Sequence, residues 1–172
     1  MVLTYRMASW VKMTQTMETI IVGLGNPLLG DDGVGWKVAE EVKKRLGEGS
    51  PFVVECFSLS GLSLMEQLIG YERVILIDSL NTGNYHQGEV VTFTLDTLED
   101  LTYGHSASAH DASLKTALGV GRSMGETLPA DNEIHVVAIE ARHVYDFSEE
   151  LSLEVEASVP VAVQKVLDLL AA

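Results

Sequence analysis

A chain with a single cysteine, Cys56, cannot close an internal disulfide or build a zinc cage from thiolates. That residue falls inside the apolar run Phe52 to Phe57, where a cysteine reads as a small core side chain. Positive charge is scarce as well: 11 Lys and Arg stand against 25 Asp and Glu, a formal net charge of −14. The few cations are scattered, so no basic patch offsets repulsion from a nucleic-acid backbone, and nucleic-acid binding is disfavoured. An acidic surface favours cationic partners instead, metals and basic peptide segments among them. No window holds the roughly 18 to 20 consecutive apolar residues that a membrane-crossing helix needs. Residues 1–17 carry Arg6 and Lys12 without a continuous apolar core, so they do not read as a secretory signal. The expectation is a cytoplasmic protein with no membrane partner.

Several catalytic signatures are missing too. There is no Gly-x-Ser-x-Gly elbow, no His-Glu-x-x-His pair, and no convincing Ser/His/Asp or Cys/His arrangement. A dinucleotide-binding fingerprint requires glycine at position 28 and finds Leu28. Internal repeats, low-complexity tracts and interdomain linkers are absent.

What remains is an ordinary globular balance: 172 residues, 47% hydrophobic and 21% charged, enough for one core. Hydrophobic patterning starts after Met17. Residues 1–17 read as a loosely ordered extension, or as a short extra element on the domain edge, and residues 18–172 as a single domain. Short apolar runs then alternate with helix-period stretches. Strands are predicted over Thr19–Gly23, Phe52–Phe57, Arg73–Ile77, Glu89–Leu95 and Ile134–Ile139. The fourth of these alternates Val91, Phe93 and Leu95 with threonines, which marks a half-exposed edge strand that can run antiparallel. Helices are predicted over Gly33–Arg45, Leu62–Ile69, Ala112–Met124 and Leu153–Ala171. Glu40–Lys44 and Glu41–Arg45 are favourable i,i+4 pairs in the first helix, and Gly47 suits its end. Ser152 suits the N-cap of the last helix, and Pro160 within it should kink or split it. The alternation predicts an α/β fold: a three-layer αβα sandwich with a mostly parallel, twisted sheet of about five strands.

The organising stretch is Gly23-Leu24-Gly25-Asn26-Pro27-Leu28-Leu29-Gly30-Asp31-Asp32-Gly33-Val34-Gly35. It joins the first strand to the first helix, at the carboxyl edge where open α/β sheets bind ligands. Its two acids would repel a phosphate at the following helix N-terminus, so the loop reads as a cation-sensing edge. Asp78 ends the third strand, and His110 precedes the third helix. If the first and third strands are neighbours, Asp32 and Asp78 meet, and His110 can face the same crevice. Two carboxylates and an imidazole suit a divalent transition metal with open positions. By spacing alone, Asp32 and Asp78 can equally be capping or loop residues, and His110 part of a helix start. Asp31 can orient a ligand, accept a bond at the helix start, or cap it. Asn26 can hold the loop through its side chain. His105, His135 and His143 read as loop or strand residues without a catalytic role.

The Gly-rich loop resembles the N-terminal motif of the nickel–iron hydrogenase maturation endopeptidases. So do Ile77-Asp78, His110 ahead of Leu114 and Leu118, and the tail from Phe147 through Glu156 and Pro160. The resemblance spans roughly Thr19 to Leu170. It implies an aspartic-type endopeptidase that removes the C-terminal extension of the hydrogenase large-subunit precursor after nickel insertion. Asp32, Asp78 and His110 would then be the catalytic and metal-recognising residues, with Asn26 and Asp31 at the substrate. Nickel would arrive with the precursor rather than reside in the chain. Two departures from the family pattern are Ser58-Leu59-Ser60-Gly61 after the second strand and Ala112-Ser113-Leu114 after the histidine. Competing readings are a metal-binding chaperone that holds the precursor without cutting, and a peptidyl-tRNA hydrolase, whose opening Gly-Leu-Gly-Asn-Pro is similar.

Overall fold

Successive apolar residues of one strand can serve two cores, because side chains alternate between the faces of a sheet. Ile20 and Val22 point to one side of the central sheet here and Ile21 to the other. Val74 and Leu76 likewise part company with Ile75 and Ile77, and Val136 with Val137. Strands this uniformly apolar must be covered on both faces, and helices cover both. The structure, a computed structural model, describes residues 17–97 and 109–172. The proposed extension lies outside the described residues as far as residue 16. So does the polar segment holding Glu99, Asp100, His105, Ser106 and Ser108.

The described elements are β1 (Met17–Leu24), α1 (Val34–Leu46), β2 (Val53–Phe57), α2 (Gly61–Gln67), β3 (Tyr71–Leu80), β4 (Val90–Thr94), α3 (Ala109–Ser123), β5 (Ile134–Glu140) and α4 (Leu153–Ala171). One 3-10 turn, Gly30–Gly33, leads into α1. The sheet order is β2-β1-β3-β5-β4. Only the β4–β5 pair is antiparallel, so the expected edge strand is in place. One face carries α2 and α3, packed through Leu64, Met65, Leu68, Leu114 and Leu118. The other carries α1 and α4, packed through Val34, Val38, Val42, Val155, Val163 and Val166. The three-layer α/β sandwich expected from the sequence is the observed fold. No helix among the described residues is long and apolar enough to cross a membrane.

Four local details differ from the sequence reading. β3 runs past Ile77 to Leu80, because Asp78, Ser79 and Leu80 still pair with Ala138, Ile139 and Glu140 of β5. α3 begins at Ala109, which puts His110 inside its first turn rather than ahead of it. Pro160 does not split α4: it lies on the exposed side of the helix, where the missing amide opens no gap in the core. In α1, Lys44 and Arg45 both approach Glu41, each at 3.6 Å, so Lys44 turns away from Glu40.

How closely α1 sits on the sheet is set by glycine. A Cβ on Gly35, in the first turn of α1, would collide with the carbonyl oxygens of Leu24 and Ile77. A Cβ on Gly23 would lie 2.5 Å from the Gly35 oxygen and 2.8 Å from the Ala39 Cβ. Both contacts involve backbone or a short side chain, which cannot swing aside. The helix start is thereby lowered onto the ends of β1 and β3. Replacing Gly35 by Ala should cost about 3 kcal/mol, as overpacked cores do, and urea unfolding of the two proteins measures it.

Candidate functional site

Because β1 and β3 are neighbours, their carboxyl ends open on one side of the sheet, and Gly23 is paired with Ile77. Residue Asp78 follows at once in β3, almost fully buried at 2% exposure. Its Oδ1 accepts a bond of 2.8 Å from the backbone N–H of Ser79. The hydroxyl of the same Ser79 donates to Asp32 Oδ1 at 3.0 Å. One serine thus links the two carboxylates that the sequence singled out. Asp32 Oδ2 accepts a second bond, 2.7 Å, from the amide of Asn26. Asp32 is half-buried, so it can still accept from the open side.

The loop that presents Asp32 is built from its own short-range bonds. Asn26 Oδ1 accepts from the Leu28 amide at 3.0 Å, which is how this side chain shapes the turn. Gly25 adopts φ +118°, and a side chain there would strike the Asp32 carbonyl. The hydroxyl of Ser58, at the first position where the chain departs from the family pattern, donates to the Gly25 carbonyl at 2.7 Å. That bond pins the loop to the segment after β2.

Asp31 is placed differently from Asp32. It is fully buried, and both its oxygens are taken by Ser152 across a separation of 121 residues. The Ser152 amide donates to Oδ1 at 2.6 Å and its hydroxyl to Oδ2 at 2.9 Å. Ser152 does occupy the N-cap position of α4, but its side chain serves Asp31 instead of its own helix. A direct substrate contact through Asp31 does not fit this arrangement, because both its oxygens are committed to Ser152. Nor does it cap α1. It ties the loop to the start of α4.

The histidines separate cleanly. His110 lies in the first turn of α3, and its side chain falls outside the described residues. His135 pairs with Ile75 and Thr94, three residues before the strand position level with Asp78. Burial, then the nearby Arg73 charge, lowers its pKa, so it is neutral at physiological pH. His143 Nδ1 pairs with Asp146 at 2.8 Å in the loop after β5. His105 lies outside the described residues.

Glu140 is a site residue that pattern reading passed over. It is fully buried at the end of β5 and accepts from the Gly83 amide at 2.7 Å and from the Thr82 amide and hydroxyl at 3.1 and 2.9 Å. Those bonds fold the chain that leaves β3 just after Asp78. The available signal was an acid closing an otherwise apolar strand, the same signal that marked Asp78. Ser79 offered no signal beyond its place after Asp78.

Among the described residues, no three His, Cys, Asp or Glu side chains converge closely enough to hold a metal ion. The described donors at the sheet edge are oxygen atoms of two carboxylates, hard ligands by type. Cys56 supplies no nucleophile here. Burial, reinforced by the charges of Glu40 and Glu55 against a smaller opposing effect of Lys43, pushes its thiol up to about 11.

The model of the HycI family, described as hydrogenase maturation protease, matches residues 58–169, roughly two-thirds of the chain. The matched stretch includes Asp78 and His110 and begins beyond the Gly-rich loop. Solved structures extend the likeness to about nine-tenths of the chain. The HybD hydrogenase maturation protease of Thermococcus kodakarensis is 26% identical, with 88% of this chain and 98% of that one covered and a TM-score of 0.67. The hydrogenase 2 maturation peptidase of Thaumarchaeota archaeon SCGC_AB-539-E09 is 25% identical over 90% and 98% of the two chains, with a TM-score of 0.60. The hydrogenase maturating endopeptidase HybD of E. coli shares the fold at a TM-score of 0.71, with 20% identity over 90% and 92% of the chains. A search of curated proteins found no match.

Two outcomes follow from the local chemistry. Asp31→Ala should lower stability by about 3 kcal/mol, since it strands a buried amide and hydroxyl, whereas Asp31→Asn should lose about 1 kcal/mol; urea unfolding separates the two. Native Cys56 should react with iodoacetamide at pH 8 roughly a hundredfold more slowly than the same thiol in urea, because the neutral form predominates below its raised pKa. The rate should climb steeply only toward pH 11.

Proposed function

The chain belongs to the hydrogenase maturation protease family, and from that premise we propose that it removes the C-terminal extension of a nickel–iron hydrogenase large-subunit precursor. Family membership sets aside the peptidyl-tRNA hydrolase reading. The observation that carries the proposal is the Ser79 bridge, which holds Asp32 and Asp78 together at the open edge of the sheet. Two carboxylates so held create a strongly negative spot, and a cation is what such a spot attracts.

In this reading nickel is part of the substrate. Asp32, Asp78 and His110 complete the coordination of an ion already carried by the precursor, whose own cysteines supply the remaining ligands. An incomplete donor set in the chain itself suits that division, because two carboxylates and one imidazole leave positions for the precursor. The chain's residues act chiefly by binding and orienting. Asp32 and Asp78 fix the loaded site, and the Gly-rich loop leaves room for the tail beside it. Held this way, the scissile peptide becomes an effectively intramolecular target. The metal either polarises the scissile carbonyl or activates the attacking water. No nucleophilic side chain is invoked, since Cys56 is a half-buried thiol whose pKa is raised and the Ser79 hydroxyl donates to Asp32.

The decisive measurement is the mass of the nickel-loaded precursor after incubation with the protein. Loss of a C-terminal peptide identifies a protease, and an unchanged mass with stable association identifies a chaperone. Nickel-free precursor should stay intact. Asp32→Ala, Asp78→Ala and His110→Ala should each cut at least a hundredfold more slowly, with circular dichroism unchanged. Normal processing by all three variants would sink the residue assignment.

A further inference from the structure

Beside the acidic edge, the loop after β5 exposes more apolar surface than a solvated loop requires. Tyr145 is 84% exposed and Phe147 is 87% exposed. Leu28, in the Gly-rich loop itself, is 45% exposed. These side chains share one backbone frame. The Gly30 amide donates to the Ser148 carbonyl at 2.7 Å, and the Ser148 amide donates back to Leu28 at 3.1 Å. The Asp31 amide donates to the His143 carbonyl at 3.1 Å, and the His143–Asp146 pair closes the loop on itself. The two rings therefore stand on a ribbon strapped to the loop that presents Asp32. Aromatic rings on a fixed frame give up little entropy on binding, which is why they dominate recognition surfaces.

The ribbon leads into a groove of about 700 Å³ between α1 and the start of α4. Leu151, Val159 and Pro160 supply its apolar lining; Glu149, Glu150 and Glu156 add negative charge, which Lys37 in the same lining offsets only in part. None of these three acids forms an ion pair among the described residues, whereas Lys44 and Arg45 across the groove are both drawn to Glu41. An apolar track with uncommitted carboxylates suits an extended segment carrying both apolar and basic side chains. A second copy of this chain is a poor occupant, because it would bring another net charge of −14 to the contact.

We propose that Leu28, Tyr145, Phe147 and the adjoining groove form the docking surface for an extended apolar and basic segment of the precursor. The proposal rests on the reading of the precursor as substrate. It divides labour within the site: the acids engage the metal, and the ribbon holds the polypeptide. The test measures binding and cutting separately on nickel-loaded precursor. The Tyr145→Ser/Phe147→Ser variant should bind immobilised precursor roughly tenfold more weakly and raise KM similarly, with kcat changed less than twofold. Glu149→Lys/Glu150→Lys, a second variant at solvent-exposed positions, should weaken binding most at low salt. Asp32→Ala should fail to cut, yet bind nickel-free precursor as the wild-type protein does. Unchanged affinity in both double variants overturns the docking surface and leaves the protease reading standing. Ring-dependent binding without any cutting by the wild-type protein does the reverse. Size-exclusion chromatography that finds a dimer dispersed by the ring variant assigns the patch to self-association and overturns the proposal.

Discussion

The architecture of the site depends on one close approach, that of the first turn of α1 to the ends of β1 and β3. Gly35 lies where any side chain would strike the carbonyls of Leu24 and Ile77, so the helix can settle only because nothing projects there. This lowering brings the Gly30–Gly33 turn, and with it Asp32, down to the level of Ser79. A helix held a side chain's thickness further out would carry Asp32 beyond hydrogen-bond reach of β3. Packing geometry, rather than any special property of the acid, makes Asp32 a partner of Asp78.

Around that contact the chain uses carboxylates for two different purposes. Asp31 and Glu140 are fully buried and spend their oxygens on backbone amides and hydroxyls of loops that must be folded in one way. A buried carboxylate satisfied by several donors is a strong organiser, because removing it leaves each donor unpaired. Asp32 shares its oxygens more sparingly and keeps a side toward solvent. Two adjacent acids thus diverge, Asp31 as a buried fastener and Asp32 as a carboxylate left partly open to solvent. Their sequence environment is almost identical; what differs is which way each faces.

That divergence also explains what could be read from the residues and what could not. The sandwich was legible because the strands are apolar on both faces and the helices carry a stripe at helical spacing, signals that are local and periodic. The antiparallel edge strand was legible from the threonine alternation of Glu89–Leu95. Asp32 and Asp78 were legible as strand-end acids, since the strand order follows from short right-handed connections. The Asp31–Ser152 bond was not, for it joins residues 121 apart and neither has a pattern that points to the other. Glu140 escaped for a similar reason: its partners, Thr82 and Gly83, read only as a turn. The helix that holds His110 starts three residues earlier than periodicity suggested.

The Asp31–Ser152 tie has a consequence for the order in which the molecule is made. Contacts between residues far apart in the chain form late, because the loop they close is long and its entropy must be overcome first. The Gly-rich loop precedes Ser152 by 121 residues, so its fastening waits for the start of α4. A partly made chain can pair β1 with β3 and still lack the bonds that set the loop in place. Until α4 is in place, the loop that presents Asp32 lacks its tie to Ser152, and the acidic edge of the sheet is left unset on that side.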